Sequence, residues 1–123
     1  MANSVGYHEA EARLTSQTLD MHRALASLQE ELEAIDWYQQ RIDATGDAEL
    51  RDILRHNRDE EQEHAAMVLE WIRRRDPGFD TRLRAYLFTE GRITEREAAV
   101  TAPNGAPPAP AAMVSVGSLR GGR

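Results

Sequence analysis

The chain has 123 residues and a formal net charge of −6, from 15 basic and 21 acidic side chains, so it holds at most one modest core. All the basic residues are Arg and Cys is absent, which excludes Schiff-base and phosphate-loop lysines, disulfides, thiolate nucleophiles, iron–sulfur clusters and Cys-based zinc sites. The acidic balance argues against nucleic acid as a partner. No apolar run approaches the roughly 20 residues of a membrane span, and no basic region followed by an apolar one opens the sequence, which predicts a cytoplasmic chain without a secretory signal.

Residues 1–13 are polar and mixed, and read as a frayed lead-in. From Thr15 to Asp43 no Gly or Pro intervenes, and Met21, Leu25, Leu28, Leu32, Ile35, Tyr38 and Ile42 recur at steps of three and four. That spacing predicts an amphipathic helix, with Thr15 or Ser16 as its N-cap. Gly46 is expected to take a left-handed backbone at the helix end, and Asp47 to cap the helix that follows. The second helix is expected over Ala48–Arg75, with Leu50, Leu54, Asn57, Glu61, His64, Val68 and Trp71 on one stripe. Asp76-Pro77-Gly78 stops it, and Arg73, Arg74 and Arg75 complement the dipole of its last turn. A short connection between two long helices implies an antiparallel hairpin.

Phe79–Phe88 is expected to form a short third helix with Leu83, Tyr86 and Leu87 on one side, and Ile93–Val100 a further turn or two. The helical part is bounded at residue 98. Residues 99–113 are assigned to a linker, because 101–113 (TAPNGAPPAPAAM) carry no charge and are rich in Ala and Pro. Residues 114–123 form a tail with scattered apolar side chains. Two helices of roughly 28 residues, each about 42 Å long, share only one mutual face, so a second copy of the chain is the simplest cover for the rest of their apolar surface.

Polar side chains interrupt the stripe of the second helix at its centre. Asn57, Glu61 and His64 stand where the periodicity calls for Leu or Val, and Glu31 of the first helix lies one turn from Leu28 and Ile35. A buried carboxylate is costly unless it is paired, protonated or bound to a metal. Glu61 and His64 form a Glu-x-x-His pair, whose i, i+3 spacing puts both side chains on one helix face, about 5–6 Å apart at Cβ. On its own this spacing occurs in many solvated helices, and the charge-dense runs EELEAID and DEEQEH also suit a face in water. His22 and His56 are read as polar-face residues and His8 as a tail residue. The conjunction of an interrupted stripe, a facing carboxylate and a hairpin that needs a second copy favours a metal site. Di-iron carboxylate bundles take one Glu from each of two helices and a Glu-x-x-His from each of two others. This chain carries half of that set, Glu31 with Glu61 and His64. The oxygen-rich donors suit iron, and also manganese, zinc or cobalt.

Glu30–Tyr38 (EELEAIDWY) and His56–Met67 (HNRDEEQEHAAM) resemble the two signature stretches of the encapsulated ferritins, and Leu69-Glu70-Trp71 and Tyr86–Gly91 continue the similarity over about residues 10–98. The resemblance implies an all-α, ferritin-like half: an antiparallel two-helix hairpin plus a short third helix, completing a four-helix bundle on dimerisation. It implies a ferroxidase that oxidises Fe(II) with dioxygen at a di-iron centre between two subunits, for iron storage. Glu31, Glu61 and His64 are its implied iron ligands, with Tyr38 in the inner shell. Glu30 and Glu33, near Trp37, match a second acidic site for calcium or another divalent metal. The implied assembly is a homodimer closing into a ring-shaped homo-oligomer, a decamer. Val114–Gly121 (VSVGSLRG) resembles the cargo-loading peptide that docks proteins inside encapsulin shells, which implies an encapsulin shell protein as partner and a place inside that nanocompartment. Two other readings stand beside this one: a helical oligomerisation or adaptor module without activity, and a di-metal peroxidase of the rubrerythrin type. The latter usually carries the full ligand set in one chain.

Overall fold

A computed structural model describes residues 6–100. They are all-α: a single 3₁₀ turn at Glu11–Arg13, then α1 (Ser16–Ala44), α2 (Ala48–Arg75), α3 (Pro77–Tyr86) and α4 (Ile93–Val100), with no strand among the described residues. They divide into two compact units, one ending at Ile72 and the other beginning at Arg73.

In the first unit, α1 begins where the sequence predicts. Thr15 Oγ1 accepts a hydrogen bond from the Thr18 N–H at 3.0 Å, supplying an acceptor to one of the first-turn amides that have none within the helix. The helix ends differently from the expectation. Thr45 closes it in an extended conformation (φ −79°, ψ 140°), and Gly46 is not left-handed; the described glycines with positive φ are Gly6 and Gly91. A side chain from the next helix takes over the capping role. Arg51 donates through Nε to the Ile42 carbonyl at 3.3 Å and through Nη2 to the Thr45 carbonyl, so two carbonyls at the C-terminal end of α1 gain cationic donors without a glycine turn. Asp47 caps α2 as expected, accepting from the Leu50 N–H at 2.9 Å.

Three cross-helix contacts fix the register of the hairpin. Arg51 meets Ile42, Arg58 Nη1 donates to Gln39 Oε1 at 2.6 Å, and His64 faces Glu31. As the numbering rises along α2 it falls along α1, so the two helices run antiparallel. Ile42, Ala65 and Ile72 are buried. Leu25, Leu32, Leu50, Ile53 and Met67 remain at least two-fifths exposed. A single hairpin therefore leaves much of its apolar surface uncovered, as the two-helix geometry requires.

In the second unit, Asp76-Pro77 opens a helix where the sequence reading took it only as a stop. The Asp76 carboxylate accepts from the Phe79 N–H at 3.1 Å, and Pro77 occupies the first helical position, where its missing N–H costs nothing and its fixed φ suits the helix. The third helix accordingly starts two residues before the expected Phe79. It also ends two residues before the expected Phe88. Leu87 is extended, and Phe88 has a positive φ of 61°, which a helix cannot continue through. Arg96 of α4 donates through Nε and Nη2 to the Ala85 carbonyl at 3.3 and 3.2 Å, holding α4 against the end of α3. Asp80 accepts from Arg73 and, at 2.9 Å, from Arg84 Nε. The Arg73 hydrogen bond is the main cause holding the Asp80 carboxyl below its ordinary range, with Arg84 adding to it and partial burial opposing. The helix α4 runs to Val100, so its last two residues fall in the span assigned to the linker. The remainder of that linker and the tail 114–123 lie outside the described residues.

Candidate metal centre

Glu31 is near the midpoint of α1, and Glu61 and His64 are near the midpoint of α2, so the antiparallel register carries all three to the same level of the hairpin. One ligand atom from each lies within 4.8 Å of the others. His64 Nδ1 is 3.7 Å from Glu31 Oε1 and 3.6 Å from Glu61 Oε1. Among the described residues this is the one such group of three or more potential metal ligands. The i, i+3 spacing of Glu61 and His64 makes the pair, and the Arg58–Gln39 hydrogen bond one turn away ties the two helices beside it.

The group is partly open. About a quarter of each Glu side chain and two-fifths of the His64 side chain remain accessible. Two carboxylates within 4.8 Å of each other repel when both are ionised. The Glu31 carboxyl is accordingly pushed above its ordinary value. The largest cause is the hydrogen bond it shares with Glu61, followed by partial burial and the negative charge of Glu61. His64 opposes the rise, and Glu30 adds slightly to it. A divalent cation among these three side chains would offset the negative charge of both acids. Carboxylate and imidazole donors are the set that borderline and hard first-row metals take. The residues present therefore fit a metal ion on both geometry and donor chemistry, with three partly accessible donors from one chain.

The other predicted site residues are placed apart from this group. Tyr38 lies two turns along α1 from Glu31, half-buried, with the Arg41 guanidinium carbon 5.4 Å from its ring centroid. Glu30 is exposed and Glu33 half-buried, and neither belongs to the three-ligand group. Trp37 beside them is half exposed. Sequence reasoning missed Glu60. Its Oε1 lies 3.8 Å from His64 Nε2 and its Oε2 lies 3.8 Å from Nε2 of His56. The signal was the spacing of four residues along α2 on either side of Glu60, hidden in a run of charge that reads as a solvated face. No helix among the described residues is long and apolar enough to cross a membrane.

Comparison with known proteins identifies the family of the chain. The EncFtn-like family model matches residues 6–90. The chain is 59% identical over 98 residues to the Encapsulated ferritin-like protein of Rhodospirillum rubrum, covering 80% of this chain and 70% of that one. It is 34% identical to the Encapsulin nanocompartment cargo protein EncC of Myxococcus xanthus, covering 93% of this chain and 95% of that one. The crystal structure of protein ne0167 from Nitrosomonas europaea superposes with a TM-score of 0.70 at 61% identity, covering 72% of this chain and 98% of that one. The family model spans both helices that carry Glu31, Glu61 and His64, and the chain belongs to the EncFtn-like family.

Proposed function

We propose that the chain is a ferroxidase that takes Fe(II) as substrate at Glu31, Glu61 and His64 and oxidises it to Fe(III), with dioxygen as the electron acceptor. The observation that carries this reading is the convergence of two carboxylates and an imidazole within 4.8 Å at the middle of the hairpin, all three partly accessible. A second copy related by a two-fold axis supplies three more donors, so that two irons lie between two hairpins with four Glu and two His around them. The exposed Leu25, Leu32 and Met67 support such a partner, because they are apolar surface that a single hairpin leaves in water. The carboxylates offset the charge of iron and, as hard oxygen donors, favour the ferric product, which assists loss of one electron from each Fe(II). Tyr38 supports this centre from α1, and Glu30 and Glu33 serve as an outer acidic position for a divalent cation on its way in.

The EncFtn-like family and the Myxococcus xanthus relative, whose name states that it is an encapsulin nanocompartment cargo protein, support the reading of this chain as shell cargo serving iron storage. In this reading dimers close into a ring, a decamer, and the tail 114–123 docks the ring to the inner face of an encapsulin shell where ferric mineral collects. Valines 114 and 116 and Leu119 are its apolar anchors on an Ala/Pro tether.

Purified protein given Fe(II) in air tests the proposal. A ferric absorbance band should form much faster than in buffer alone, and Glu31→Ala, Glu61→Ala and His64→Ala should each lower metal occupancy and rate by at least ~100-fold. A rate equal to the buffer control would overturn the enzyme reading and leave a helical oligomerisation module. Deleting residues 114–123 should abolish co-purification with a shell protein while sparing iron oxidation.

A further inference from the structure

Glu60 stands between two imidazoles on one face of α2. One of its oxygens is 3.8 Å from Nε2 of His64 and the other is 3.8 Å from Nε2 of His56. On the opposite side of the His64 ring, Nδ1 faces Glu31 and Glu61 at 3.7 and 3.6 Å. The ring thus presents one nitrogen to the three-ligand group and the other to a carboxylate outside it.

A neutral imidazole has one N–H and one lone pair, on different nitrogens. A cation held by Glu31 and Glu61 takes the lone pair of the nitrogen facing them, Nδ1, and the proton then resides on Nε2. The carboxylate oxygen facing that N–H belongs to Glu60. Donation to a carboxylate fixes the tautomer and the ring plane and raises the basicity of the ligating nitrogen. The 3.8 Å separation is longer than a hydrogen bond, and a side-chain adjustment on the order of 1 Å closes it, as such contacts do when a site fills. His56 faces the second oxygen and narrows the orientations open to the carboxylate.

We propose that Glu60 is a positioning residue: it accepts the Nε2–H of His64 and thereby sets Nδ1 as the nitrogen that binds metal. The proposal rests on the reading of Glu31, Glu61 and His64 as a cation site, and it assigns a role to a residue outside that set.

Co(II) is the probe, because it binds such donors without being oxidised under mild conditions and shifts the proton resonances of a ligating imidazole far from the rest of the spectrum. The full chain is compared with Glu60→Gln and Glu60→Ala by Co(II) titration and by proton NMR of the loaded protein. In the wild type a shifted, exchangeable imidazole N–H signal should be present and slow to exchange with water. Glu60→Ala should weaken Co(II) binding roughly 10- to 100-fold and lose that signal to exchange. Glu60→Gln, whose amide oxygen still accepts, should keep the signal and fall between the two in affinity. Wild-type affinity and an intact N–H signal in Glu60→Ala would overturn the assignment while leaving the metal site standing. Equal weakening in both variants with the signal retained in both would also overturn it, since Glu60 would then act only through its charge. A wild-type chain that takes up no Co(II) would overturn the assignment together with the site reading beneath it.

Discussion

Glu31 on α1 and Glu61 on α2 face each other across the hairpin and share a hydrogen bond that holds the Glu31 carboxyl above its ordinary value. The sign of that shift has a consequence for stability. A carboxyl whose value is raised by folding is more easily protonated in the folded state than in the unfolded one, so its ionised form works against the fold. At neutral pH and without metal, Glu31→Gln removes that repulsion and should raise the melting temperature of the metal-free chain. The same variant should lose most of its affinity for divalent cations. Stability gained together with binding lost is the signature of strain kept for function. A melting curve with and without Zn(II) checks it: a variant less stable than the metal-free wild type, yet still stabilised by Zn(II), would contradict the assignment of Glu31.

Much of this arrangement is legible in the sequence, for physical reasons that can be named. The three- and four-residue steps of Met21 through Ile42 fix α1, because burial of one helix face repeats with that period. The Glu61–His64 pair is legible because a helix converts an i, i+3 spacing directly into proximity. Glu31 is legible as its partner because it borders an apolar face where a lone carboxylate is costly. The ends of the elements are less so. Gly46 invites a left-handed cap, yet Arg51 reaches back from the next helix and supplies the donors instead, a contact that depends on the hairpin being folded. Asp76-Pro77 reads as a stop, although the same pair is a good start, and local sequence does not say which of the two roles dominates. Glu60 and His56 lay hidden because an i, i+4 acid–imidazole pair is commonplace on a solvated helix, and what sets it apart is the three-ligand group next to it.

Arg51 ties the end of α1 to the start of α2 through two carbonyls. Arg51→Ala leaves those carbonyls to water and should cost about 1.5–3 kcal/mol, the range for hydrogen bonds from charged donors. Arg51→Lys keeps the charge but lacks the planar fork that reaches two acceptors, and should recover less than half of that loss. Urea unfolding of the two variants against the wild type measures both. Equal stability of all three would remove Arg51 as the cap of α1.

Asp80 provides a pH-dependent contribution in the second unit. Its carboxyl is held below the ordinary range by Arg73 first and Arg84 second. A depressed folded-state value means that the contribution to stability is fully present above the unfolded-state value and is lost as the pH falls through the folded-state one. Asp80→Asn should therefore destabilise the region of α3 at neutral pH. The difference from wild type should vanish in strong acid, where Asp80 is protonated in folded and unfolded chains alike. High salt should shrink the neutral-pH difference, because these groups are partly exposed to solvent. Hydrogen exchange at the α3 amides across this pH range reports the effect locally.

Assembly and metal uptake should be coupled. One chain supplies three donors, and divalent ions of this class take four to six, so a cation at Glu31, Glu61 and His64 gains most when a second hairpin closes over it. Leu32 and Met67 are more than half exposed in the single chain, and covering an apolar side chain of this size is worth about 1.5–3 kcal/mol. Metal and apolar burial should therefore act together: adding Fe(II) anaerobically, or Zn(II), should raise the mass seen by sedimentation, and a chelator should lower it again. Leu32→Asp and Met67→Asp place charge on the surface that closure would cover. Each should shift the association to roughly 10-fold higher protein concentration or more, on the scale of 1.4 kcal/mol per tenfold change. Each should also weaken metal uptake, although neither side chain can bind through the three-ligand group. If both variants assembled with the wild-type midpoint, the second copy would have to approach the metal group from another face of the hairpin.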